Sequence, residues 1–425
     1  MSEITRVIGR SVWDSRGRPT VEVEVHTGSG AMGRAIAPAG ASTGSGEALD
    51  LRDGGIACRG YGVNRAVENV NELIAPALCG LDVTEQMSLD NKLVTLDGTS
   101  QRQRLGGNAM IATSLALAHA AAAASNQPLW SYLAKGKPLQ FPTPEVQIFG
   151  GGAHAQGHMD LQDFMVVPHG ASNFREAMEW VAEVYLAAGD YMDAQGRRMG
   201  VADEGGYWPA FDSNEAAIEA LVSAIENAGF STTQQIGVSL DIAATQIYRE
   251  GAYHLKKESK ALSPDQWYEL MLSWVRHYPI IMIEDPFVET DMVRHAELLA
   301  NMPKGVQLVG DDLLVTQVSN MSVAKEHRSC NTLLCKPNQV GTVTEAWAAH
   351  QQALTNGWST VMSARSGETE DVSIVHLALG WNIPQFKVGS FARSERMAKW
   401  NEMLRIEDTC GRSTYAGYQP WEALQ

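Results

Sequence analysis

The chain has 425 residues, 44% of them hydrophobic and 19% charged, with a formal net charge of −16 and an isoelectric point near 5.1. That length can bury a large core and points to two domains. The acidic balance argues against a nucleic-acid groove or an anionic membrane as partner and leaves room only for a local basic site that binds an anionic small molecule.

Five scattered cysteines form no Cys-x-x-Cys pair, and the opening Met1-Ser-Glu-Ile-Thr-Arg6 lacks the basic-then-apolar pattern of a signal peptide. Both suit a cytoplasmic protein with free thiols. Residues 1–30 alternate apolar and polar, with Val21, Val23 and Val25 set against Glu22 and Glu24. This period of two predicts two strands joined by the turn Asp14-Ser-Arg-Gly-Arg-Pro19, and Ala31–Ala37 is a third strand candidate. Pro38–Gly46 is rich in small residues and reads as a loop too flexible to be a packed element. Gly62–Leu78 and the alanine-rich Asn108–Ser125 have helical spacing. The alanine-rich run carries His119 and reads as a buried helix, not a membrane span. Strands followed by helices make a small α+β unit. Prolines around Lys135-Gly-Lys-Pro138 mark its end, so the division falls at 1–136 and 137–425.

Beyond that point strand-like and helix-like segments alternate. Buried-strand candidates are Gly237–Leu240, Ile280–Ile283, Gln307–Val309, Thr332–Cys335, Thr360–Met362 and Gln385–Phe386. Their ends lie roughly 25–30 residues apart after a first interval of about 43, the spacing of βα units with one insertion. So many units predict a closed (β/α)8-type barrel, with a doubly wound open sheet as the alternative.

Each of these strands runs into a polar residue: Asp241, Glu284, Asp311, Lys336, the run Ser363-Ala-Arg-Ser366, and Lys387. Barrel strand C-termini converge on one mouth, where chemistry is carried. Taken singly, each acid reads equally well as a partner for a lysine at a helix start. As a series they point to a site. Three carboxylates converging there raise one another's pKa, and a hard divalent cation resolves the repulsion. An all-oxygen set favours Mg²⁺, with Mn²⁺ as a substitute, over Zn²⁺. A lysine facing that cation has its pKa lowered and suits a general base beside a cation-bound carboxylate. The glycine-rich Gly150–His158 carries His154, Val201–Tyr207 sets Asp203 and Glu204 before two glycines, and Arg365 with Ser366 offers a fork and a hydroxyl for a phosphate. A structural histidine and a helix-capping acidic turn are the plainer readings of the first two.

Together the motifs are specific. Asp14-Ser-Arg-Gly-x-Pro-Thr20, Gly40-Ala-Ser-Thr-Gly44, Asp203-Glu-Gly-Gly-Tyr207, Ile283-Glu-Asp285, Gly310-Asp-Asp-Leu313, Lys336-x-Asn-Gln-x-Gly341, Arg365-Ser-Gly-Glu-Thr-Glu-Asp371 and Lys387-x-Gly-Ser390 resemble those of the enolase family, in the same order, from about Val7 to Glu407. The resemblance implies a barrel with an N-terminal α+β capping domain, and a homodimer or a dimer-based octamer. It also implies Mg²⁺-dependent reversible dehydration of 2-phosphoglycerate, a small phosphorylated three-carbon acid, to phosphoenolpyruvate.

By the same resemblance Lys336 is the base at C2, and Glu204 is the acid that assists departure of the C3 hydroxyl. Asp241, Glu284 and Asp311 hold one Mg²⁺, and Ser42 is a ligand of a second. Lys387 binds the substrate carboxylate. Ser363, Arg365 and Ser366 contact phosphate, His154, Gln162 and Asp163 lie beside the substrate, and Glu22 and Arg405 pair across a dimer. The chain departs from the family pattern at Ala364, where the family has histidine, and at Asp163, where it has glutamate. Gly150 stands in place of asparagine, and Ala39 in place of serine. These changes fall on the leaving-group and phosphate side. They leave open an enolase-like enzyme of specialised metabolism, similar to carboxyphosphonoenolpyruvate synthase, and a non-catalytic protein that keeps the fold.

Overall fold

The computed structural model describes residues 2–155, 157–410 and 413–422. It opens with an antiparallel sheet of β1 (Ile4–Trp13), β2 (Pro19–Thr27) and β3 (Met32–Ile36) in that order. Val21, Val23 and Val25 of β2 are fully buried, because the alanine-rich helix Gly107–Ala124 lies across this face. That helix is long and apolar enough to cross a membrane, yet 83% of it is buried inside the protein. Small residues let helix and sheet approach closely: a Cβ on Gly33 would stand 2.1 Å from the Ala116 carbonyl oxygen. The predicted helix 62–78 forms as Asn64–Leu78 with a π-helical stretch at Val70–Ile74.

The second part of the chain closes an eight-stranded barrel of β4 (Thr143–Gly150), β5 (Asp163–Val167), β6 (Gly237–Asp241), β7 (Ile280–Glu284), β8 (Gln307–Gly310), β9 (Thr332–Cys335), β10 (Ser359–Ser363) and β11 (Gln385–Gly389). The sequence pattern found the last six and missed the first two. Recurrent βα units suggest a parallel sheet. In fact β5 runs antiparallel to both β4 and β6, and the other neighbours are parallel. Reversal places the first residue of β5, Asp163, at the rim where the other strands end. Gly150, Asp163, Asp241 and Glu284 are consecutive register partners across β4–β7.

The barrel interior is filled by side chains, several of them polar. Gln307 and Gln385 exchange amide hydrogen bonds at 2.7 and 2.8 Å, and Ser239 donates to Glu145. Val167, Met282, Val309, Leu334 and Val361 close the other end with Trp421, whose indole N–H donates to the Ile281 carbonyl at 3.1 Å.

His295 is fully buried beneath Phe287. Its Nδ1–H donates to the Asp291 carbonyl at 2.8 Å, while Nε2 has no partner among the described residues. Burial pushes its pKa down to about 4. The unfolded chain therefore binds a proton that the folded chain refuses between pH about 6.5 and about 4, and this ring's contribution to stability falls as pH drops through that window. Replacing His295 with glutamine is expected to flatten the pH dependence of the unfolding free energy across it. An unchanged slope in urea titrations would contradict the assignment.

Candidate active site

The rim of the barrel and the Pro38–Gly46 loop enclose one pocket. It is lined by Ser42, His154, Gln162, Asp163, Glu204, Asp241, Lys336, Ser363, Ala364, Arg365, Ser366 and Lys387. Glu284 and Asp311 touch it through the two lysines. Lys387 Nζ donates to Asp241 Oδ2 at 2.9 Å and to Glu284 Oε2 at 2.7 Å. Lys336 Nζ donates to Asp311 Oδ2 at 2.5 Å. Asp311 also accepts from Gln339 at 2.8 Å, and Asp241 from Gln162 at 3.0 Å. Glu284 Oε1 is buried without a partner among the described residues. An orphaned carboxylate oxygen in an all-oxygen acidic set fits a hard divalent cation. A second oxygen cluster lies beside it: donor atoms of Asp285, Asp311 and Asp312 come within 4.8 Å of one another. Asp285, however, is already occupied, accepting from the backbone N–H groups of Asp311 and Asp312.

The electrostatics follow from burial and from this pairing. Burial raises Glu284 well above the usual carboxylate range, and the adjacent Asp241 raises it further. At Lys336 burial and neighbouring charge oppose each other. Burial lowers its pKa, but Asp311 and Glu284 outweigh burial and the net direction is upward; Lys387 is raised further, by Asp241 and Glu284. The lowered lysine read from the sequence needs the charge of a cation, because the protein groups alone act the other way.

On the opposite wall His154 Nε2 stands 3.9 Å from Asp163 Oδ1 and 3.8 Å from Glu204 Oε1. Burial and the charge of Glu204 push Asp163 up to about 6, although His154 and Lys387 pull the other way. Glu204 is also buried, but His154, Arg396, Lys387 and Lys336 together hold it below the usual range. Two neighbouring carboxyls whose environments separate their pKa values form an acid–base pair, one carrying the proton more readily than the other.

The third wall corrects an expectation. The small-residue loop 38–46 is pinned, not free. Ala41 N–H donates to Ser366 Oγ at 2.6 Å, and Gly44 N–H to Glu47 Oε1 at 3.0 Å. Glu47 holds both Nη atoms of Arg365, at 2.9 and 3.3 Å, and Arg365 also donates to the Ser42 carbonyl at 3.0 Å. Only glycine fits at position 40, where a Cβ would fall 2.0 Å from Arg365 Nη2. The guanidinium fork read from the sequence as free for a phosphate is thus shared with Glu47. Beneath it the fully buried Arg396 donates to the carbonyls of Arg365, Ser366 and Val388 at 2.5–2.9 Å.

Sequence reasoning missed Glu47, Gln339 and Arg396. Gln339 lies inside the Lys336-x-Asn-Gln motif and was legible there. Glu47 and Arg396 gave no local signal. Ser363 Oγ turns to the Ala364 carbonyl at 2.9 Å. Within the single chain Glu22 pairs with Arg10, and Arg405 with Glu402.

Two family descriptions match the chain: "Enolase, N-terminal domain" over residues 4–133 and "Enolase, C-terminal TIM barrel domain" over residues 138–423. With the closed barrel, the strand-rich cap and the acid–lysine mouth already in place, the matches cover nearly the whole length, and the chain belongs to the enolase family, as an enzyme of the lyase type.

Proposed function

We propose that this enzyme catalyses the Mg²⁺-dependent, reversible dehydration of 2-phospho-D-glycerate to phosphoenolpyruvate. The observation that carries the reading is a single pocket lined by Lys336, Asp163 and Glu204, in which Lys336 follows β9 and Asp163 opens β5, four strands away around the eight-stranded barrel. A base on one side and an acid on the other is what loss of a C2 proton and a C3 hydroxyl requires, and this lining supports that reading. Asp241, Glu284 and Asp311 are the residues that hold Mg²⁺, with Ser42 for a second ion. A divalent cation there supplies positive charge beside the substrate carboxylate as that group gains electron density.

Lys387 orients the carboxylate, and Arg365 with Ser366 takes the phosphate. Lys336 in its neutral form accepts the C2 proton, and the electron pair of that bond becomes the C2–C3 double bond. The C3–O bond breaks as a proton held by the Asp163–Glu204 pair, more readily on Asp163, passes through Glu204 to the leaving oxygen, and water leaves. The substrate class, the two Mg²⁺ sites, assembly as a homodimer or a dimer-based octamer, and a cytoplasmic location are all part of this proposal.

The test is direct. The purified protein with saturating Mg²⁺ is expected to form phosphoenolpyruvate from 2-phosphoglycerate, followed by its ultraviolet absorbance, and chelation with EDTA is expected to stop it. Absence of product with Mg²⁺ present would sink the reading. A second reading rests on Ala364, a buried methyl on the pocket wall, which leaves room for a bulkier phospho- or phosphono-enolpyruvate substrate. Turnover of such a compound at higher kcat/KM than 2-phosphoglycerate would favour it.

A further inference from the structure

Gln147 lies in the middle of β4, 1% exposed. Its carbonyl Oε1 accepts the backbone N–H of Gly206 at 2.9 Å. That bond fixes the amide orientation, because only the oxygen can face an N–H. The Nε2 end therefore points at Asp163, and it donates to Oδ1. One side chain thus bridges the carboxylate of Asp163 and the turn that carries Glu204 two residues before Gly206. The turn is fixed from other sides as well. Ser390 N–H donates to the Glu204 carbonyl at 2.9 Å, and Gly150 and Tyr207 exchange backbone bonds with each other's strand or turn.

The surroundings are fitted to that bridge. Gly150 is the register partner of Asp163. A Cβ there would meet Ala202 Cβ at 2.8 Å and Gln147 Oε1 at 3.0 Å. A Cβ on Gly206 would meet Gln147 Oε1 at 2.4 Å. A larger residue at 150 would thus crowd Ala202 first and the Gln147 amide with it. Asp163 is one methylene shorter than the glutamate of the family pattern, and the amide of Gln147 meets its carboxylate directly.

We infer that Gln147 is a positioning residue for the leaving-group half of the reaction, acting as one unit with Gly150 and Asp163 to set Asp163 and Glu204 in their mutual geometry. The inference rests on the proposed dehydration. Gln147 hydrogen-bonds to Asp163 and Gly206 and to neither Lys336 nor Lys387. Asp163 stands 3.7 Å from Lys387 Nζ and forms no hydrogen bond or ion pair with Lys336 among the described residues, so the effect of Gln147 is expected on product formation more than on abstraction at C2. The unit also accounts for two of the departures from the family pattern as a single coupled change: the reach lost at Asp163 is restored from β4, and Gly150 makes the room.

The test separates the two halves by following exchange of the C2 hydrogen of 2-phosphoglycerate with D₂O alongside phosphoenolpyruvate formation. It uses wild type, Gln147→Asn, Asp163→Glu and the double variant, with thermal midpoints as a folding control. Gln147→Asn is expected to lower phosphoenolpyruvate formation about 100-fold, the scale of an ångström-sized misplacement, and to keep C2 exchange within about twofold. Asp163→Glu, overpacked against Gln147, is also expected to lose product formation. The double variant is expected to recover to within about tenfold of wild type, because the coupling is between neighbours. Gly150→Ala, which crowds Ala202 Cβ and Gln147 Oε1, provides a second route should Gln147→Asn fold poorly: it is expected to lower phosphoenolpyruvate formation while C2 exchange persists. Wild-type activity in Gln147→Asn, parallel loss of exchange and product, or losses that multiply in the double variant would overturn the inference alone. A wild type showing neither exchange nor product would overturn the dehydration reading and this inference together.

Discussion

Lys336→Ala is expected to abolish C2 exchange and to lower phosphoenolpyruvate formation by about 10²–10⁴-fold, the range for removal of a positioned general base. The lysine follows β9 directly, and its backbone N–H is fixed by Thr316 Oγ1 at 3.0 Å. Its ammonium group reaches Asp311 without any rearrangement of the strand. Deleting it leaves Asp311 with Gln339 as a donor, so the carboxylate is not orphaned and the fold survives to be assayed. The decisive comparison is exchange against turnover. Loss of both marks Lys336 as the base, whereas exchange persisting at the wild-type rate would assign proton abstraction to another group.

The second large effect is on stability. Glu47→Ala is expected to lower the unfolding free energy by about 3–5 kcal/mol, the cost of removing one partner from a buried pair. Both side chains are only 3% exposed, so solvent does not screen the charge left on Arg365. Its remaining acceptors are Asn338 Oδ1 at 3.0 Å and the Ser42 carbonyl, both neutral. The pair also spans the structure: Glu47 belongs to the segment after the capping sheet, and Arg365 follows β10. Chemical denaturation measures the change directly. A shift below about 1 kcal/mol would show that the pair contributes geometry without net stability.

Whether a feature was legible in the sequence depended on whether its partners lay close along the chain. The polar ends of β6–β11 were visible because each follows an apolar run and the barrel brings them to one rim. The strands β4 and β5 were not. β4 carries Glu145 and Gln147 facing the polar interior, which breaks the apolar run, and β5 opens on Asp163, read only as part of a motif. The pinned loop was misread for a physical reason. Gly40, Ala41 and Ser42 are small because Arg365 and Ser366 approach them, and those residues lie more than 320 positions away. Smallness that permits close packing looks, in sequence, the same as smallness that permits motion. The direction of the Lys336 shift was inferred for a cation-loaded site, and the protein groups alone reverse it.

The reversed strand β5 has one further consequence. Elsewhere around the rim, each strand end from β6 onward leads into a segment that must pass down the outside of the barrel before the next strand begins. Between β4 and β5 the chain turns back at the rim itself, through residues 151–162, and both ends of that segment are anchored in neighbouring strands. Closing such a turn between fixed ends costs little entropy, and the segment is held from outside the barrel as well, since the Asp160 carboxylate accepts from Asn214 at 3.1 Å and from the Lys256 backbone N–H at 2.8 Å. His154, Gln162 and Asp163 all sit on or beside that segment, opposite Lys336. One side of the mouth, with His154, Gln162 and Asp163, thus stands on or beside a turn at the rim, while Lys336 and Lys387 stand on strand ends that lead into the outer helices Val343–Asn356 and Ser394–Thr409.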